Sequence, residues 1–254
     1  MTEPVQIETR GAVLIVTMNR PGMRNAASQA MAQLMSAAFE QLDADPALRL
    51  CILTGANGDF CSGMDLKDFQ QGRTPRIPGK GFGGLAEAPP AKPVIAAVEG
   101  HALGGGFEMA LACDMLVASR TARFGLPEVK RGLIASAGGL LRLPYQMPYR
   151  IAAEIIMTGD TVTADYLERH GVINRLVEPG QALTEALRLA DRILANAPLA
   201  VVASKRVMQE SRDWPRDEMF ARQQKIKDPI AASADAKEGV RSFVERRAPV
   251  WVGH

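Results

Sequence analysis

Hydrophobic and polar positions change rhythm several times along this chain, and each change marks an element. The run AVLIVTMN (12–19) is apolar and β-branched and ends at Arg20-Pro21-Gly22, which predicts a buried strand closed by a turn. In SQAMAQLMSAAFEQLDAD, Ser28 stands where a helix cap belongs, and Met31, Leu34, Met35, Ala38 and Leu42 fall on one helical face. The methionines of that helix are read as core packing. LRLCILTG (48–55) predicts the next buried strand and ANGDFCSGMDL a loop. VIAAVEG predicts a further strand, GGGFEMALAC a short helix and MLVAS another strand. Beyond residue 140 the pattern becomes mostly helical. Pro198 suits the first turn of a helix, and SADAKEGVRSFVERR places Val240, Phe243 and Val244 together.

Residues 70–93, QQGRTPRIPGKGFGGLAEAPPAKP, break the rhythm. They are rich in Gly and Pro and poor in periodicity, which in a compact domain marks a functional lid or a disordered segment. Residues 72–85 are expected to move more than the core, because they offer few apolar anchors. The chain shows no repeat of solenoid length and no clean break in composition. It reads as one α/β unit, with the core over 1–195 and a helical region of the same unit over 196–254.

Composition narrows the function classes. The 254 residues are 47% hydrophobic and 23% charged, ordinary for a soluble globular protein. A formal charge of +2 with no basic block argues against nucleic acid or an anionic membrane surface as partner. Cys51, Cys61 and Cys113 have no metal-like spacing and suit buried thiols in a reducing compartment. MTEPVQIETR lacks the charged-then-apolar pattern of a signal peptide, and no apolar run approaches membrane-spanning length. A cytoplasmic protein without a membrane partner is expected.

The stretch GHALGGGFE (100–108) carries the first candidate chemistry. A glycine-rich turn between a strand and a helix exposes backbone N–H groups and the positive helix end to whatever docks there. Phosphate binding in dinucleotide folds needs G-x-G-x-x-G, and Gly104-Gly105-Gly106 followed by Phe107, Glu108 and Met109 lacks the third glycine. An oxyanion hole needs a second donor, for which FCSGMD (60–65) is a candidate: Gly63 permits a sharp turn that presents the Met64 N–H. Two tight turns with no ligand would read the same way. Glu108 and Glu128 are both bracketed by apolar residues, so burial would either pair them or raise their pKa toward proton transfer. Two such carboxylates at one site can divide the acid and base roles.

Together, NGDFCSGMDLK, KPVIAAVEGHALGGGFEMALACD, ARFGLPEVKRGL, SAGGLLRLP and TGDTVTADYLERHGVINRLVEP resemble the enoyl-CoA hydratase/isomerase (crotonase) family. The likeness runs from GAVLIVTMNRPGMRNA to EGVRSFVERRAP, nearly the whole chain. It implies an α/β fold, a spiral of ββα units followed by helices that assemble a homotrimer or a dimer of trimers. It also implies an acyl-CoA thioester substrate, no separate cofactor and no metal. The backbone N–H groups of Met64 and Gly105 would be the oxyanion donors. Glu108 would deprotonate a water and Glu128 would protonate the α-carbon, which favours hydration of a trans-2-enoyl-CoA to a 3-hydroxyacyl-CoA. Arg24 could meet a CoA phosphate, and Asp65 and Leu66 would line the CoA channel mainly through backbone. Val252 stands near where hydratases often offer a lysine to the CoA 3′-phosphate. Phe82 and Leu85 are expected to touch the acyl chain. His101 is expected to shape that pocket without a catalytic role. Related isomerases, dehydratases of hydroxyacyl or carnitinyl thioesters, and a non-catalytic acyl-CoA binder are the alternatives. A nicotinamide dehydrogenase is the weakest of them.

Overall fold

The computed structural model describes residues 3–254. Its elements run β1 (Val5–Arg10), β2 (Val13–Met18), α1 (Gln29–Ala44), β3 (Leu50–Gly55), α2 (Leu66–Gln70), β4 (Arg76–Ile77) and β5 (Gly81–Phe82). Next come β6 (Val94–Val98), β7 (His101–Leu103), α3 (Gly105–Ala112), β8 (Met115–Ser119), β9 (Arg123–Gly125), α4 (Gly139–Gln146) and α5 (Tyr149–Thr158). The chain continues through β10 (Val162–Thr163), α6 (Ala164–Arg169), β11 (Arg175–Val177) and α7 (Ala182–Leu194). It closes with α8 (Pro198–Glu210), α9 (Met219–Ala232) and α10 (Ala234–Glu245).

The main sheet has six strands in the order β1-β2-β3-β6-β8-β11, parallel except for the β1–β2 hairpin. Strands buried on both faces read as continuous apolar runs, which is why β2, β3 and β6 stand out in the sequence. On one face Leu14, Val16, Leu53, Val94 and Ala96 join Met31, Met35 and Phe107 in the larger core. On the other, Ile15, Ile52, Ile95 and Ala97 pack under α7 through Ala182, Ala186 and Ala190. Three alanines four residues apart form a flat stripe that lets this helix sit close to the sheet.

Some expectations need correction. Ser28 caps α1 by accepting from the Met31 N–H at 3.2 Å, yet Leu34 is 40% exposed instead of lying on the buried face. Strand β1 has no counterpart among the predicted elements. It is an edge strand that buries only Val5, leaving little apolar pattern to read. Residues 70–93 are better anchored than their composition suggests. They contain the β4–β5 hairpin, and Leu85 and Ala86 are fully buried in the core. Gly84 lies directly on Ser36 of α1, with no room for a side chain. Few periodic positions do not mean few anchors.

The helical region is tied to the sheet by a part-buried ion pair, with Lys205 buried and Asp114 reaching solvent. Lys205 Nζ on α8 lies 2.6 Å from Asp114 Oδ2 and also donates to the Lys92 carbonyl at 3.0 Å. The same carboxylate oxygen accepts from the Val94 N–H at 2.8 Å. Lys205→Ala removes a charge-assisted hydrogen bond but leaves a carboxylate that water can reach, so it should lower stability by about 1–3 kcal/mol, measured by urea denaturation. A loss under about 1 kcal/mol would mean that water replaces the ammonium without penalty. On α10, Val240, Phe243 and Val244 do stand together, as an exposed apolar face.

Candidate active site

The site begins where β7 ends. Gly104 has φ +53° and ψ −128°, a conformation open only to glycine, and it starts α3. Its neighbours are glycines for a different reason. A Cβ on Gly105 would collide with the Phe82 ring, and one on Gly106 with the Cys61 carbonyl. As the first residue of α3, Gly105 has an N–H with no acceptor inside the helix.

The loop from residue 56 to 65 runs beside it. Cys61 and Ala102 form a single parallel bridge, after which Gly63 turns the chain with φ +103°. Ala27 donates to the Gly63 carbonyl at 2.8 Å and accepts from the Asp65 N–H at 2.9 Å. Met64 lies between those two bonds, so its own N–H faces away from Ala27. A Cβ on Gly63 would lie 3.8 Å from the Gly105 nitrogen, which places the two turns side by side. The buried Asn25 holds the loop from below, donating to the Ala56 and Asp59 carbonyls at 3.0 and 2.7 Å.

These turns open on a cavity of about 290 Å³ lined by Gly63, Met64, Gly104, Gly105, Glu108 and Glu128. Leu66, Phe69, Phe82, Leu133 and Ile134 supply apolar walls, and Arg131 adds a charge. A larger cleft of about 550 Å³ lies between the end of α1 and helices α8 and α9, but no pair of carboxylates lines it. Chemistry, not size, picks out the site.

Glu108 is 3% exposed, and its Oε1 accepts from the Gly139 N–H at 2.9 Å. Burial pushes its carboxyl up to about 7 against the pull of that N–H, and the neighbouring Glu128 carboxyl, which would repel it if both were ionised, adds to the rise. Burial also raises Glu128, which Arg131 opposes. Glu128 Oε2 is buried with no hydrogen-bond partner among the described residues. An unpartnered buried oxygen suits a protonated carboxyl, whereas an oxygen receiving an N–H suits a carboxylate.

This arrangement carries a stability signature. Unfolded, Glu108 titrates near its ordinary 4.5; folded, near 7. Below 4.5 both states hold the proton and the shift costs nothing. As pH rises from 4.5 to about 7, the unfolded chain releases a proton that the folded chain keeps, and stability falls by up to about 3 kcal/mol. Glu108→Gln should therefore be more stable than the parent at about pH 8 and indistinguishable from it at about pH 4. Urea titrations at the two pH values check this, and equal stabilities at the higher pH would refute it.

The family model for enoyl-CoA hydratase/isomerase matches residues 8–254. The chain belongs to this family. It is 44% identical to the enoyl-CoA hydratase EchA19 of Mycobacterium tuberculosis, over 96% of this chain and 94% of that protein. It is 41% identical to the carnitinyl-CoA dehydratase of Salmonella arizonae over the full length of both. The crystal structure of an enoyl-CoA hydratase from Mycobacterium tuberculosis superposes with a TM-score of 0.98 at 52% identity, covering both chains entirely. The α/β architecture with its parallel sheet and C-terminal helices is thus the crotonase fold.

Within that fold, Met64, Leu66, Phe82, Gly105, Glu108 and Glu128 come together around one cavity. Two residues read as pocket-forming do not. Leu85 is fully buried in the core and takes no part in the cavity wall. His101 lies outside the lining and pairs with Asp59, Nδ1 to Oδ1 at 2.7 Å. Arg24 sits beside the site, its carbonyl accepting from the Ser62 N–H at 3.0 Å. The Asp65 carboxylate is committed to Arg20, at 2.7 Å, and to the N-terminus of α2. Sequence reading missed Gly139, Arg131, Leu133 and Ile134. All lie in KRGLIASAGG (130–139), which spans the end of one matched motif and the start of the next, and neither its two basic residues nor its spacing assigns roles to its members.

Proposed function

We propose that this hydratase/isomerase-family protein adds water to a trans-2-enoyl-CoA to give a 3-hydroxyacyl-CoA. The carrying observation is the pair of carboxylates, both with raised pKa, in a cavity that also receives two turns with free backbone donors. Glu108, as carboxylate, takes a proton from water while the water oxygen bonds to the β-carbon. Charge moves to the thioester oxygen, held by the N–H groups of Met64 and Gly105. Glu128, as the acid, gives its proton to the α-carbon, and the two carboxyls then re-share the proton taken from water. The unpartnered oxygen of Glu128 and the N–H bond to Glu108 favour this division of roles.

Arg24 and the backbone of Asp65 and Leu66 would bind the CoA portion, with Phe82 against the acyl end. CoA arrives with the substrate, and the chemistry needs no other cofactor or metal. The exposed apolar face of α10 supports assembly into a trimer or a dimer of trimers, and three free buried thiols suit a cytoplasmic setting. Reaction in ¹⁸O-labelled water tests the assignment: the hydroxyacyl product should carry one label. A shifted double bond without label would make the protein an isomerase.

Dehydration of a hydroxyacyl thioester is the same reaction run backwards, and the likeness to a carnitinyl-CoA dehydratase favours keeping it as a second reading. Rates over simple enoyl-CoAs and carnitinyl-CoA would separate the two.

A further inference from the structure

Asp59 and His101 lie outside the cavity, and no step of the proposed hydration uses them. Their contacts are nevertheless specific. Asp59 Oδ1 accepts from the His101 backbone N–H at 3.0 Å and meets the ring Nδ1 at 2.7 Å, so Nδ1 carries the proton. Gly100 makes room for this: a Cβ there would stand 2.5 Å from the same carboxylate oxygen.

The clamp sits at the root of both donor turns. Phe60 donates to the Glu99 carbonyl at 2.9 Å, Cys61 to His101 at 2.8 Å, and Leu103 to Cys61 at 2.9 Å. Regular pairing amounts to one bridge, Cys61 to Ala102, and both chains then turn away at Gly63 and Gly104. Met64 lies three residues beyond one side of that bridge and Gly105 three beyond the other. A shift in this short pairing would move one N–H against the other. Backbone bonds hold the near end of the zipper only through Phe60 and Glu99, and the Asp59 side chain reinforces it by taking up the His101 N–H.

We propose that Asp59 and His101 are positioning residues that fix the register of these two segments, and so hold the Met64 and Gly105 N–H groups at the spacing a thioester oxygen requires. This rests on the oxyanion reading above. Neither side chain touches substrate, so both act through geometry. Displacement of about 1 Å at a reacting centre can cost about 100-fold in rate.

The test uses the full protein with butyryl-CoA labelled with ¹³C at the thioester carbonyl, a saturated ligand that cannot be hydrated. Isotope-edited infrared difference spectra report how strongly the bound carbonyl is polarised. In the parent protein the stretch should move to lower wavenumber. Asp59→Ala should lose most of that displacement and lower kcat for enoyl-CoA hydration by about 10–100-fold, with KM changed by less than about threefold. Asp59→Asn keeps an oxygen for both N–H groups and should restore the displacement and most of kcat. His101→Ala keeps the backbone bond and should fall between them. If Asp59→Ala fails to fold, His101→Ala carries the comparison. A merely structural pair would lower the melting temperature while leaving carbonyl polarisation and kcat per CoA-binding site unchanged, and that result would overturn the proposal. No displacement in the parent protein would instead overturn the oxyanion reading, and this inference with it.

Discussion

Glu108→Gln and Glu128→Gln should each lower hydration turnover by about 10²–10⁴, the usual contribution of general acid–base catalysis. An amide keeps the shape and the hydrogen-bonding oxygen of the carboxyl but cannot exchange a proton. In Glu108→Gln the amide oxygen can still accept from the Gly139 N–H, so the cavity should keep its form and CoA affinity should change far less than turnover. Both carboxyls serve one water, so the double variant should lose much less than the product of the single losses. Steady-state kinetics of the three variants measure this. Full activity in Glu108→Gln, with activity abolished in Glu128→Gln, would point to a single-base isomerase.

Loss of the Gly105 donor should be as severe. Removing one donor of an oxyanion hole typically costs about 2.7–4 kcal/mol of transition-state stabilisation, or about 10²–10³ in rate. Proline is tolerated at the first position of a helix, where Gly105 stands, so Gly105→Pro removes the N–H without breaking α3. The obstacle is Phe82, whose ring occupies the space any side chain at 105 would need. A fair comparison therefore sets Gly105→Pro against Gly105→Ala, both combined with Phe82→Ala. The alanine keeps the donor, and the ratio of the two turnovers isolates the N–H. Equal turnovers would place the thioester oxygen elsewhere.

What the sequence revealed depended on how far the determining contacts reach. Strands β2, β3 and β6 are buried on both faces, so their apolar runs announced them. Ser28 and Pro198 were legible because capping and first-turn preferences act within a few residues. Glu108 and Glu128 stood out as acids in apolar surroundings, and motif likeness placed them together. Leu85 failed because its surroundings are set by segments far away in sequence: composition showed a Gly-rich loop, not that the loop tucks a leucine into the core. The partner of His101 lies 42 residues upstream, on a loop with no pattern that pairs the two. Gly139, the donor to Glu108, stands 31 residues beyond it and offers only a backbone N–H, which every residue but proline has.

The row Gly104-Gly105-Gly106 has a consequence for how such a protein can diversify. Gly104 is held to glycine by its own backbone conformation, and Gly105 and Gly106 face Phe82 and Cys61, so a side chain in this row meets either strain or a collision with a distant segment. Leu66, Phe69, Leu133 and Ile134, by contrast, line the same cavity while 43–64% exposed, where substitutions usually disturb stability by less than about 0.5 kcal/mol. Mutational drift is therefore channelled: descendants of this chain can explore new acyl groups one substitution at a time, while the backbone that holds the reacting carbonyl is locked against single steps.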